Sequence, residues 1–303
     1  MSLYNKYRPA AFEQVIGNTE AVNTLKSLID KDDPPHAYLI HGPHGCGKTT
    51  LARIAAAKLG CIGEDFREID SADFRGIDTI REMRNASAFH GLHGKRRAWL
   101  LDECHQLSRD AQNALLKALE EPPSHVYYFL CTTEPQKLLD TVKDRCFKVE
   151  VKLLTEIQMK RLLRSVVIAE KQELAKEVYD QIIQTAQGHA RTALVILEKV
   201  LSHPPEERLQ IARQSVDLEA KIIDLCRALI GGAQWHKVRQ ILAGLKDEQP
   251  ESIRRAVLQY CATILLSRED DRIAAIMEAF AQNTFDSGFP GIIFSCYAAV
   301  KGT

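Results

Sequence analysis

The sequence has no surplus of either charge. Forty Lys and Arg balance forty Asp and Glu over 303 residues, which excludes a chain coated in positive charge. Contact with nucleic acid would have to come from a local basic stripe. Eight cysteines are present, but no Cys-x-x-Cys pair, so no cysteine zinc site is expected. Several of them sit inside apolar runs and read as buried, reduced thiols. His90 and His93, in HGLHGKRR, are two imidazoles without a third ligand nearby, too few for a metal. No apolar run approaches the length of a bilayer, and the opening MSLYNKYRPAAF lacks the apolar core of a signal peptide. The expectation is a cytoplasmic protein with no membrane partner. Internal repeats and low-complexity segments are also lacking.

What is there is ordinary in bulk and specific in pattern. At 45% hydrophobic and 26% charged, 303 residues suit two or three compact domains. The first half alternates short apolar runs with helical patterns. Strands are expected at Ala37–His41, Phe66–Asp70, Arg97–Leu101, Val126–Cys131 and Phe147–Val151. Helices are expected at Gly47–Leu59, Gly76–Phe89 and Ser108–Glu120. Strands separated by helices of ten or more residues imply a parallel sheet covered on both faces. From Leu153 the strand signals stop. Thr155 and Gln158 form a capping box that opens a helix to about Glu170; a second helix runs to Gln187 before Gly188, and a third spans His189–Leu201. Ser202-His203-Pro204-Pro205 marks a boundary, and the remainder reads as a helical bundle with core positions at Ile222, Ile223, Leu225, Leu229 and Ile230. The fold expected is α/β: a P-loop parallel-sheet domain at 1–151, a small three-helix lid at 152–202 and an all-helical domain at 203–303.

Gly42, Pro43, His44, Gly45, Cys46, Gly47, Lys48 and Thr49 match G-x-x-x-x-G-K-[ST] in full, between an expected strand and an expected helix. Glycines let the backbone curl so that its N–H groups face phosphate oxygens, and the helix N-terminus adds partial positive charge. Lys48 is placed to reach the β- and γ-phosphates of ATP, and Thr49 to give its hydroxyl to Mg²⁺, with Thr50 beside it. The third strand ends in Asp102-Glu103, at the sheet edge where ligands of α/β proteins bind. Asp102 would hold Mg²⁺, partly through water, and Glu103 would orient the attacking water or take its proton. A carboxylate base beside a P-loop points to hydrolysis rather than binding alone.

LLDECH, then QLSRDAQNALLKALEEPP, then CTTEPQKLLDTVKDRC together resemble the clamp-loader branch of the AAA+ ATPases. The likeness is to the gamma/tau type of bacterial DNA polymerase III and to the small subunits of replication factor C. Lys6-Tyr7-Arg8-Pro9, Val15-Ile16-Gly17, His36-Ala37-Tyr38 and FRGIDTIR at 74–81 agree with it. The resemblance is dense from residue 4 to about 200. Over the last hundred residues only helicity and length fit the family's collar, or oligomerisation, domain. It implies that Thr133 is the first sensor of the γ-phosphate, with Thr132 the less favoured neighbour. It makes Arg145 a finger inserted into a neighbouring subunit's ATP site and Arg191 the second sensor, on the lid. Tyr7, Arg8, Val15 and Ile16 are placed near the adenine.

Three departures stand out: Cys104 in place of a small residue, Asp144 where the family has a serine before the finger, and the lack of the family's zinc-binding cysteine cluster and long extension. A carboxylate at 144 is positioned by sequence to pair with Arg145. The resemblance further implies a sliding clamp, primer–template DNA and other loader subunits, in a pentamer, as partners. The DNA would be held through phosphates without sequence preference by Arg75, Arg81 and Gln112, with Arg84, Arg109, Asn113 and Lys117 nearby. Two other readings compete: another DNA-remodelling AAA+ ATPase, acting in branch migration or fork repair, and a non-catalytic structural subunit of the loader.

Overall fold

The computed structural model describes residues 2–71, 76–91, 96–246, 248–266, 269–284 and 287–301. It divides into two units, Met1–Arg208 and Leu209–Thr303.

The first unit begins with α1 (Leu3–Lys6) and α2 (Thr19–Ile29). The order then runs β1 (Ala37–His41), α3 (Lys48–Lys58), β2 (Phe66–Asp70), α4 (Ile77–Ser87), β3 (Arg97–Asp102), α5 (Arg109–Glu120), β4 (Val126–Thr132), α6 (Asp140–Lys143) and β5 (Phe147–Glu150). All five strands are parallel, in the order β2-β3-β4-β1-β5. Three more helices follow: α7 (Glu156–Ala169), α8 (Lys176–Ala186) and α9 (Ala190–Leu201). Every strand expected from the sequence is present, with ends that differ by at most a residue. The amphipathic α2 carried no motif and was not anticipated.

Strand alternation sends successive side chains to opposite faces, and two cores result. Tyr38, Ile40, Leu100, Phe129 and Val149 pack with Leu25, Leu51 and Ala55 on one face. Leu39, Trp99, Leu101, Tyr128 and Leu130 pack with Ile80, Met83 and Leu115 on the other. Strand β4 is buried along its whole length, which is why its sequence, VYYFLCT, is almost continuously apolar rather than alternating. On α7 the Thr155 hydroxyl accepts from Gln158 N at 3.3 Å while Gln158 Oε1 accepts from Thr155 N at 3.0 Å, the reciprocal box read from the sequence. All eight cysteines are buried free thiols. Burial holds Cys104 and Cys131 well above the ordinary thiol range, so Cys104 packs as a small apolar side chain.

The second unit holds α10 (Arg208–Ile230), whose first residue belongs to the first unit, with α11 (Trp235–Ala243), α12 (Pro250–Leu265), α13 (Asp271–Ala279) and α14 (Gly288–Lys301). Leu225, Leu229, Val238, Ile253, Phe280 and Cys296 form its core. Trp235 meets Tyr297 edge to face at 5.1 Å. The Glu251 carboxylate accepts from Arg254, Arg255 and Thr284. Arg254 first, then the other donors, hold its carboxyl well below the usual range. No helix among the described residues is long and apolar enough to cross a membrane.

Phe129 is fully buried at the centre of the sheet, so Phe129→Ala should cost about 3–5 kcal/mol of first-unit stability. Urea unfolding followed by Trp99 fluorescence, in a Trp235→Phe background that silences the other unit, measures this. A loss below 1 kcal/mol would contradict the packing described.

Candidate functional site

Strand β1 delivers the glycine-rich loop and strand β3 delivers Asp102, with only β4 between them. The chain leaves β1 for the far side of the sheet, so both deliveries occur where the strand order reverses, at the carboxyl edge. The loop's curl requires its glycines. Gly42, Gly45 and Gly47 have φ of 151°, 69° and 106°, and a Cβ on Gly42 would lie 1.9 Å from the Val151 carbonyl. Gly42 N donates to the Thr132 carbonyl at 3.2 Å, which fixes the loop to β4.

Lys48 is 5% exposed, and its Nζ donates to the carbonyls of Gly42 and Pro43, each at 3.0 Å. Among the described residues it has no carboxylate partner within ion-pair distance. A buried ammonium held by two neutral carbonyls is under-compensated, and an anion at the α3 N-terminus would complete it. The Thr49 hydroxyl donates to Asp102 Oδ2 at 2.7 Å. A hydroxyl and a carboxylate side by side are the hard oxygen donors that Mg²⁺ takes alongside phosphate and water. Asp102 Oδ1 accepts from Glu103 N at 3.0 Å, and Glu103 itself sits in the left-handed region at φ 46°. Thr133, just past the end of β4, donates its hydroxyl to Glu103 Oε2 at 3.3 Å.

Lys48, Thr49, Asp102 and Glu103 open on a cleft of about 600 Å³, within the range of small-molecule sites, while Thr133 reaches it only through Glu103. Tyr7, Arg8, Val15 and Ile16 line it together with His44, Gly45, Cys46, Gly47, Lys48, Thr49 and Thr50 from the loop, and with Asp102 and Glu103. Leu162, Val166 and Leu194 of the lid helices supply apolar wall that sequence reading did not single out, as does Tyr4 near the N-terminus. Arg191, at the start of α9, also lines the cleft. Its N–H donates to the Gly45 carbonyl at 3.4 Å, and its guanidinium lies 5.6 Å from the centre of the Tyr4 ring. His189 Nδ1 donates to the His44 carbonyl at 2.7 Å, so the lid touches the loop twice. Burial and then the nearby Arg191 charge lower the His44 pKa, keeping that ring neutral. Burial raises the Cys46 thiol against the pull of Lys48, so it is not an activated nucleophile. The N-terminal segment is tied to the lid by Tyr7 and Lys6, which donate to Glu170 Oε1 at 2.6 and 2.7 Å.

Other expected site residues fall elsewhere. Arg145 does not line the cleft of its own chain. It donates to Glu120 Oε1 at 2.5 Å and to the Thr141 carbonyl at 2.7 Å. The anticipated partner, Asp144, pairs instead with Lys148 at 3.3 Å. Gln112 requires correction as a DNA-facing residue. It is 5% exposed, donates to the Leu107 carbonyl at 3.1 Å and accepts from Leu139 N at 2.9 Å. Its amide nitrogen ties α5 to the turn that precedes it, and its oxygen ties α5 to the segment before α6. Arg81 is exposed and pairs with Asp78 at 3.1 Å. Arg75 and His93 lie outside the described residues.

Comparison with known proteins agrees with this geometry. Residues 64–155 match the family model described as DNA polymerase III, delta subunit. The DNA polymerase III subunit gamma/tau of Mycobacterium tuberculosis is 32% identical over 277 residues, covering 82% of this chain and 48% of that protein. Subunit tau of Bacillus subtilis is 34% identical over 222 residues, covering 66% of this chain and 39% of that protein. The chain thus spans about half the length of these relatives or less. Among solved structures, the RuvB Holliday junction branch migration motor of Thermotoga maritima aligns with a TM-score of 0.61 at 17% identity, covering 74% of this chain and 79% of that one. That likeness is one of fold. By sequence over most of its length, the chain belongs to the family of the DNA polymerase III gamma/tau subunits, and its fold is like that of RuvB.

Proposed function

We propose that the chain is an ATP-hydrolysing motor subunit of a DNA clamp loader, which opens a sliding clamp and places it on primer–template DNA. The observation that carries this reading is the convergence of a buried, under-compensated Lys48, the Thr49–Asp102 pair and Glu103 on one cleft. In use, Lys48 exchanges the loop carbonyls for phosphate oxygens. Thr49 and Asp102 hold Mg²⁺, which when bound draws charge from the phosphates. Glu103 orients the attacking water and accepts its proton, steadied by Thr133. Arg191 approaches the γ-phosphate from the lid, so lid position reports whether the phosphate is present. Tyr7, Arg8, Val15 and Ile16 form the base end of the cleft. Arg145 acts in trans, at the ATP site of a neighbouring subunit in a pentamer, which makes hydrolysis depend on assembly. ATP then works by favouring the conformation that binds clamp and DNA.

The DNA face belongs to α4, where Arg81 and Arg84 are one turn apart and grip phosphates together with Arg75. A net-neutral subunit suits this plan, because several copies line one channel. The branch-migration reading gains no ground from the RuvB likeness, which concerns fold.

ATP turnover by the chain with its co-purifying partners, with and without clamp and primed DNA, tests the proposal. Clamp and DNA together should stimulate turnover strongly. Lys48→Ala should cost about 2–5 kcal/mol of nucleotide binding. Glu103→Gln should preserve binding and slow turnover by roughly 10²–10⁴-fold. Loading that persists with Lys48→Ala in every copy would exclude the motor role, and turnover driven by branched DNA without regard to the clamp would favour the branch-migration reading. Replacing Arg81 and Arg84 together by Ala should lower the salt slope of DNA binding by about 2, measured by fluorescence anisotropy across ionic strength; an unchanged slope would remove α4 from the DNA face.

A further inference from the structure

Glu103 is held by more than Thr133. His105, two residues on, has a side chain only 8% exposed and stands between two carboxylates. Its Nδ1 lies 3.4 Å from Glu103 Oε2 and its Nε2 lies 3.4 Å from Glu134 Oε1. Nδ1 is also 3.0 Å from the hydroxyl of Thr132, which is fully buried and accepts from Glu134 N at 3.0 Å. Glu134 in turn meets Lys137 Nζ through both of its oxygens, each at 3.0 Å. A continuous chain of polar contacts therefore runs from half-exposed Lys137 through Glu134 and His105 to the carboxylate beside the P-loop.

Proton counting makes this chain a selector. A neutral imidazole has one N–H and one bare nitrogen, so it can satisfy one of the two carboxylates but not both. Burial lowers the His105 pKa; Glu103 and Glu134 pull it up, and Lys137 and Lys48 push it down. The neutral ring is therefore the resting form near neutral pH, and the two carboxylates compete for a single proton. Lys137 neutralises Glu134 and weakens that side's claim. With the N–H on Nδ1, Thr132 Oγ1 accepts it at 3.0 Å, and Glu103 Oε2, 3.4 Å away, feels it as an electrostatic contact. Glu103 Oε2 is also the oxygen that Thr133 engages. Both side-chain contacts fall on Oε2, which leaves Oε1 as the oxygen that meets water in the cleft.

We propose that His105 is a positioning residue for Glu103: it holds Oε2 so that Oε1 faces the reacting water, and the Lys137–Glu134 ion pair at the surface sets which carboxylate the imidazole serves. This deepens the ATPase reading and rests on it. It also gives the segment Glu134–Lys137 a function that its sequence, an ordinary turn after β4, does not announce. A ligand or neighbouring subunit that draws Lys137 away frees Glu134 to claim the imidazole proton, and Glu103 is released.

The test uses the full chain with its partners and compares wild type with His105→Ala, His105→Asn and Lys137→Ala. It reads steady-state ATP turnover, affinity for a fluorescent ATP analogue, and the His105 tautomer from long-range ¹H–¹⁵N NMR. In wild type the proton is expected on Nδ1. His105→Ala should lower kcat by about tenfold or more with KM and nucleotide affinity within about twofold, the pattern of a lost transition-state contact. His105→Asn, which keeps an N–H donor near the Nδ1 position, should recover much of that loss. Lys137→Ala should move the proton to Nε2 and lower kcat by roughly two- to fivefold, a smaller loss than deleting the ring because the imidazole still fills its place beside Glu103. A wild-type proton on Nε2, or turnover indifferent to His105, would overturn the positioning role and leave the ATPase reading standing. A wild-type chain that binds ATP and never turns it over, with partners, clamp and DNA supplied, would overturn both.

Discussion

The hydrogen bond from Thr49 to Asp102, at 2.7 Å, joins the two sides of the cleft. Thr49 belongs to the loop and helix that follow β1; Asp102 ends β3. The two strands are separated by β4, so neither residue can reach the other unless all three strands keep register. Register in turn depends on the two buried cores, because slipping a strand by one residue would exchange the faces of Tyr38 and Leu39, or of Phe129 and Leu130. The apolar content of β1, β3 and β4 thus does chemical work at one remove. It fixes the distance between a hydroxyl and a carboxylate that belong to different turns of the chain.

Much of this was legible in the sequence, and the reason is local. The P-loop, Asp102-Glu103 and the Thr155 capping box are short motifs whose geometry follows from residues a few positions apart, and the strands announce themselves by apolar runs bounded by turns. What could not be read involved partners far along the chain. Gln112 lies in a segment that matches DNA-facing helices, yet its amide is consumed by Leu107 and Leu139. Nothing nearby in the sequence says so. The pairing of Arg145 with Glu120 rather than Asp144 has the same origin: a neighbour in sequence was the visible candidate, and a helix end 25 residues away supplied the carboxylate. His105 was in view within LLDECH, but its meaning depends on Thr132 and Glu134, which reach it only because β3 and β4 are adjacent. The apolar wall residues Leu162, Val166 and Leu194 carry no motif, and helical periodicity cannot tell a core face from a face that lines a cleft.

Helices α7–α9 and the N-terminal segment border the cleft through a few polar contacts. These helices meet the P-loop through two backbone carbonyls, at Gly45 and His44, and meet the N-terminal segment through the Glu170 and Glu198 carboxylates. Exposed or half-exposed polar contacts of this kind contribute little each, whereas the sheet beneath is held by two continuous cores. Unequal stability of this sort leaves the sheet fixed while the lid can adjust. A nucleotide in the cleft would add contacts to loop, lid and N-terminal segment together, so its binding energy falls where the fold itself is least committed.

The segment around Arg145 is held differently, by a helix fixed at both ends. Arg145 is anchored by Glu120 at the C-terminal end of α5, and α5 is pinned to the segment before α6 by the buried amide of Gln112. The N-terminal end of α5 is capped by Ser108, whose hydroxyl accepts from Ala111 N at 3.2 Å, three residues after His105. One helix of twelve residues is therefore capped three residues after His105 and ends at Glu120, the partner of Arg145. A helix transmits displacement along its axis with little loss, because its packing is bistable rather than compliant. Buried Gln112 is then the residue that makes the two ends one body, and its burial is what that role requires.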